Sequence, residues 1–91
     1  MEFEWNPRKA TKNLDKHQVS FSEAATVFSD TLGAATSDPD HADDESRYII
    51  VGMSNRRRLL IVSFAERGER IRIISARELT HSERKAYEEE N

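Results

Sequence analysis

RYIIVGMSNRRRLLIVSFAERGERIRIISAR, residues 47–77, contains three apolar runs, YIIV, LLIV and IRII, separated by two short polar connections. RYIIVGM (47–53) and LLIVSF (59–64) are almost continuously apolar, the pattern of strands with little solvent on either face. SNRRR joins this pair, and ERGE joins the second strand to RIRII, with Gly68 free to take a positive φ. Connections this short allow only antiparallel pairing between consecutive strands. Within 70–74, Ile71 and Ile73 point one way and Arg70 and Arg72 the other. Strict alternation would carry Arg77 to the isoleucine side. The strand is therefore expected to end or kink near Ser75–Ala76 and release Arg77 towards the element that follows.

That element is a short terminal helix through Tyr87, opened by Thr80 and Glu83 as a T-x-x-E capping box. Upstream, EFEW (2–5) alternates acidic and aromatic residues, the period of a short half-buried strand. Asn6 then caps a helix whose first position is Pro7. It runs to about His17, with Ala10, Leu14 and His17 facing inward. Ser20 and Glu23 form another capping box, with Val19 and Ala24 at the staple positions. Phe21, Ala24, Ala25 and Phe28 follow at i, i+3, i+4 and i+7, giving one apolar face. Residues 30–46 form a long acidic connection with room for a short edge strand around Gly33–Thr36. The expected architecture is one α+β domain over residues 1–91 in the order β-α-α-β-β-β-α. Two helices pack on one face of an antiparallel sheet, and a short helix ends the chain.

Of the 91 residues 36% are hydrophobic and 34% charged, so the core is thin and the surface ionic. The lack of cysteine excludes disulfides and thiolate chemistry. No apolar run approaches the roughly 20 residues that span a bilayer. The N-terminus lacks the apolar stretch of a signal peptide, so a soluble cytoplasmic protein without membrane contact is expected. The formal net charge is -3, yet residues 46–77 carry eight arginines, no lysine and two glutamates. Arginine's planar fork binds phosphate or carboxylate bidentately, where lysine offers a point charge. A local basic surface attracts polyanions whatever the net charge.

The residues best placed for chemistry are Arg67, Arg72, Arg77, Glu83 and Tyr87. Phosphodiester cleavage needs cations where charge builds on the phosphorus oxygens, together with a proton acceptor and a donor. Arg72 and Arg77 would stabilise the phosphate and Arg67 would position it. Glu83 or His17 would deprotonate a ribose 2′-hydroxyl, while Tyr87 donates a hydrogen bond or stacks on a base. Lys9, Lys16, His17 and Arg70 would bind substrate, with Asn13 beside the two lysines as a further phosphate ligand, although an exposed helix face needs no special purpose. A salt-bridged sheet face, with Arg70 and Arg72 paired to Glu66 or Glu69, accounts for the same charge pattern. His17 equally fits a helix C-terminal cap or a core ring. Asp38, Asp40, His41 and Asp43 are oxygen and nitrogen donors at short spacing. Counted from Asp38, however, the glycine and glutamate positions of a calcium-binding EF-hand loop hold Asp43 and Ile49, so a solvated acidic loop without metal is expected. No phosphate-binding glycine loop, nucleophile elbow or zinc-finger spacing occurs, and no cofactor is expected.

FEWNPRKATKNLDKHQVSFSEAATVF (3–28), DPDH (38–41), RYIIVGMS (47–54), LLIVSFAERGERIRIISAR (59–77) and ERKAYEE (83–89) together resemble the BrnT family of bacterial type II toxins, which share the RelE-like ribonuclease fold. The resemblance implies an mRNA-cleaving toxin neutralised, in a hetero-oligomer, by a BrnA-type antitoxin, and with arginines in place of a metal motif the expected activity is that of a metal-independent endoribonuclease. DNA would be met only indirectly, through the antitoxin. Asn6 stands where the family usually has Asp, Gln18 and Arg57 where it usually has Gly. Phe64 and Ala65 replace more polar residues beside Glu66 and Arg67. Those two replacements favour a second reading, the same fold used only to hold an antitoxin partner or RNA.

Overall fold

The computed structural model describes residues 1–39 and 46–90. Its strands are β1 (Glu2–Glu4), β2 (Ala34–Ser37), β3 (Arg47–Met53), β4 (Leu59–Arg67) and β5 (Arg70–Glu78). The helices are α1 (Pro7–His17), α2 (Phe21–Thr26), continued by a 3₁₀ turn over Val27–Ser29, and α3 (His81–Glu90). The strands form one sheet in the order β1-β5-β4-β3-β2. β2–β3, β3–β4 and β4–β5 pair antiparallel, the last two as their short connections require, and Gly68 takes φ 61° at the β4–β5 turn.

The sheet is mixed rather than wholly antiparallel. β1 pairs parallel with β5, in the register Glu2↔Arg70, Phe3↔Ile71 and Glu4↔Arg72. Turn lengths govern only consecutive strands, and β1 reaches β5 across most of the chain. This register sends Phe3 and Ile71 into the core together and lays Glu4 beside Arg72 on the opposite face.

β5 does not end at Ser75–Ala76. It continues to Glu78, and its register against β4 shifts by one residue between Phe64↔Ile73 and Ser63↔Ser75. Ile74 is thus the extra residue of a β-bulge, which resets the alternation. Ile73 and Ala76 both face the helices, each 1% exposed, while Arg72, Ser75 and Arg77 share the other face.

The core lies between the helices and one sheet face. Val19, Phe21, Ala24 and Val27 meet Ile50, Leu60, Val62, Phe64, Ile73 and Ala76. Burying each larger side chain contributes about 1.5–3 kcal/mol. Phe28 bridges Phe3 and Phe64, with ring centroids 5.2 Å and 4.9 Å apart. Leu14, expected inside, is 48% exposed; Asn13 is buried in its place.

Glu23 also departs from expectation. Ser20 Oγ does accept from the Glu23 N–H (3.0 Å), but the Glu23 carboxylate turns inward instead of back to Ser20. It accepts from Ser54 Oγ (2.7 Å) and from Nε and Nη2 of Arg58, tying α2 to the β3–β4 hairpin. The Arg58 bond, more than anything else, holds this carboxyl below the usual carboxylate range.

Candidate functional site

Beyond Glu4, the edge of β5 that faces away from β4 has no paired strand among the described residues, and Asn13 takes that place. Its Nδ2 donates to the Ala76 carbonyl (2.8 Å) and the Val19 carbonyl (2.9 Å), and its Oδ1 accepts from the Ala76 N–H (3.1 Å). One buried amide therefore satisfies both polar groups of an otherwise bare strand edge. The clasp sets the end of α1, with Lys16 and His17, beside the segment Ser75–Arg77.

The result is a cleft of about 600 Å³ lined by Lys16, His17, Ser75, Arg77 and Glu83, over a floor that includes Ile61 and Ser63. Arg77 reaches it because of the bulge at Ile74. Glu83 reaches it because the Thr80 capping box forms in full: Thr80 N–H donates to Glu83 Oε1 (2.8 Å), and Glu83 N–H donates to Thr80 Oγ1 (3.2 Å). Arg77 and Glu83 then meet bidentately, Nη1 to Oε1 at 2.7 Å and Nη2 to Oε2 at 3.0 Å. Arg77 Nη1 also donates to the Glu78 carbonyl (3.2 Å).

These bonds set the protonation states. The Arg77 fork, then the Thr80 N–H, lowers Glu83 to about 2. The same carboxylate raises Arg77 above its ordinary value. Glu83 is thereby a firm anion and a weak base, suited to holding Arg77 more than to accepting a proton. Arg77 keeps its Nε–H and one Nη2–H without a partner among the described residues, a second fork of the shape that grips a phosphate. His17 brings an imidazole to the same cleft, a group able to take or give a proton.

The other sequence-derived candidates lie elsewhere. Arg72 shares the face of Arg77 but donates through Nη1 to Glu4 Oε2 (2.7 Å), and this bond is the main cause that lowers the Glu4 carboxyl. Arg70 pairs with Glu2 and Glu4, not with Glu66 or Glu69. Arg67 stands exposed beside the β4–β5 turn. The Tyr87 hydroxyl donates to the Leu32 carbonyl (2.9 Å), fastening α3 near β2. Lys9 lies along α1, outside the cleft. Phe64 belongs to the core on the helical side, stacked on Tyr48.

Asp38 is buried at the cleft wall, while Asp40, His41 and Asp43 lie outside the described residues. Among the described residues no group of three or more His, Cys, Asp or Glu could hold a metal ion, and no helix is long and apolar enough to cross a membrane. Sequence reasoning did not single out Ser75, which lines the cleft, or Lys12, which lines an adjoining groove along α1. Lys12 was open to it, because it stands three residues after Lys9 and four before Lys16, on one helical face.

A family model described as the ribonuclease toxin BrnT of type II toxin–antitoxin systems matches residues 5–83. The crystal structure of the Brucella abortus ribonuclease toxin BrnT aligns with a TM-score of 0.71 at 21% sequence identity, covering 89% of this chain and 99% of that one. No curated protein matches in sequence. At that identity the structural likeness speaks for the fold, whereas the family match runs from Trp5 through the whole cleft to Glu83. The chain belongs to the BrnT family, the ribonuclease toxins of type II toxin–antitoxin systems.

Proposed function

We propose that the cleft between α1 and β5 cleaves mRNA without a metal ion, and that a BrnA-type antitoxin neutralises it in the cytoplasm. The observation that carries this reading is the meeting of Lys16, His17 and Arg77 in one cleft, with Arg77 held from behind by Glu83. A 2′-hydroxyl attacks the adjacent phosphorus, the bond to the 5′-oxygen breaks, and a 2′,3′-cyclic phosphate forms. His17 accepts the 2′-proton, and the departing 5′-oxygen takes a proton from solvent to leave as a hydroxyl. The free edge of Arg77 and the charge of Lys16 stabilise the phosphorane oxygens. Glu83 acts through Arg77 and is a positioning residue. Tyr87 anchors α3, and Arg72, Arg70 and Arg67 lie further along the surface the RNA crosses.

The test uses the protein freed of antitoxin and incubated with a defined mRNA fragment, with and without EDTA. Arg77→Ala and His17→Ala run alongside, with circular dichroism to confirm folding. Losing one such contact typically costs about 10²–10³ in rate. EDTA-resistant cleavage reduced to that extent in both variants supports the reading. Intact RNA with folded wild-type protein supports the non-catalytic module instead.

A further inference from the structure

Lys9, Lys12 and Lys16 follow one another at i, i+3 and i+7 on α1, a spacing that sets them on one helical face. They line a groove of about 300 Å³ whose opposite wall is Ile74 and Ser75 of β5. That groove runs into the cleft, because both are lined by Lys16, His17 and Ser75. None of the three lysines forms an ion pair with a described residue, unlike most arginines of the sheet. Lys9 and Lys16 stand about 10 Å apart along the helix axis, more than one phosphate of a single strand needs. Ile74, turned out by the bulge, gives the groove an apolar wall against which a sugar or base can pack.

We propose that this groove is the phosphate track of the RNA substrate, holding the strand to one side of the phosphate that enters the cleft. The inference rests on the ribonuclease reading for the identity of the strand. Lysine is well matched to such a track, since a flexible point charge follows a mobile backbone without demanding one geometry. The fork of Arg77 then fixes the single phosphate to be cut.

The experiment measures fluorescence anisotropy of a labelled single-stranded 2′-O-methyl RNA, which binds but cannot be cleaved, across a salt series. Lys9→Gln/Lys12→Gln is compared with wild type and with Arg84→Gln/Lys85→Gln. The latter removes equal charge from exposed positions on α3 outside the groove and the cleft. The expected result is affinity weakened about tenfold at low salt for Lys9→Gln/Lys12→Gln alone. Its log K against log[salt] slope should be shallower by about 1.4, two phosphate contacts on single-stranded nucleic acid. Wild-type affinity and slope in that variant overturn the track, as does an equal loss in the α3 variant. Cleavage of unmodified RNA by wild type is read separately. Failure there removes the ribonuclease reading and leaves the track to be judged on binding.

Discussion

At the scale of single residues, the chain keeps two side chains where the backbone favours none. Gln18 (φ 56°) and Arg57 (φ 61°) both occupy the left-handed region, which costs a residue with a Cβ about 1–2 kcal/mol. Gln18 recovers part of this by donating from Nε2 to the Asp15 carbonyl (2.8 Å). Gln18→Gly and Arg57→Gly should each stabilise the fold by about 1 kcal/mol, since glycine's greater unfolded-state freedom offsets some of the relief. Urea denaturation reads this as a raised midpoint at constant slope. Asn13 makes the opposite case. Asn13→Leu restores apolar volume but strips the Ala76 N–H and carbonyl of their partners, and should destabilise by about 2–4 kcal/mol. An unchanged midpoint would mean that water satisfies that edge unaided. The glycine-like demand at both positions was visible in the sequence only against the family pattern. Asn13 read from the sequence as a phosphate ligand on an exposed helix face, and the structure buries it with its amide spent on Val19 and Ala76, a role that no signal reveals until β5 lies beside it.

Among the helices, α3 is the least committed: none of its residues is buried, and Arg77–Glu83, the Thr80 box and Tyr87–Leu32 hold it. The Glu83 links depend on pH with a definite sign. Glu83 falls from an ordinary value of 4.5 to about 2 in the fold, so its attachment is complete above about pH 4.5 and is lost as pH falls through about 2. Amide exchange of α3 should therefore accelerate, relative to the core strands, between those limits. Glu83→Gln should show fast exchange throughout and little pH dependence. Equal pH dependence in wild type and variant would assign the effect to another carboxylate. Elements with a local signature were legible in sequence, namely the caps at Asn6, Ser20 and Thr80 and the turn at Gly68. β1's parallel partnership and the bulge at Ile74 were not, because each depends on a neighbour distant in sequence. The need for a kink before Arg77 was nonetheless readable, since two-residue alternation cannot place Arg72 and Arg77 on one face without an odd insertion.

For the whole molecule, the question is why an acidic chain gathers arginine in one block. The fold sets that block against its own acids. Arg58 meets Glu23 and Glu78, Arg70 meets Glu2 and Glu4, Arg72 meets Glu4, and Arg77 meets Glu83, so the partners come largely from segments before and after the arginine-rich strands. The sequence showed the block but suggested Glu66 and Glu69 as partners, because nearness along the chain was the only guide and β1's parallel crossing defeats it. The consequence is a surface whose guanidinium charge is largely neutralised on one sheet face, while Lys9, Lys12 and Lys16 of α1 form no ion pair with a described residue. On the proposed ribonuclease reading, Glu4 would restrain how widely the protein grips polyanions, because it holds Arg72 and Arg70. Glu4→Gln frees Arg72 while leaving Phe3 and Ile71 paired in the core, so the fold should keep its urea midpoint nearly unchanged. Binding of single-stranded RNA at low salt should tighten about two- to threefold, with a salt slope steeper by about 0.7, one added phosphate contact. Glu2→Gln, which relieves only the more exposed Arg70 pair, should do less. If Glu4→Gln binds RNA as wild type does, Arg72 lies off the path of the strand, and the contact surface narrows to α1 and the cleft at Arg77.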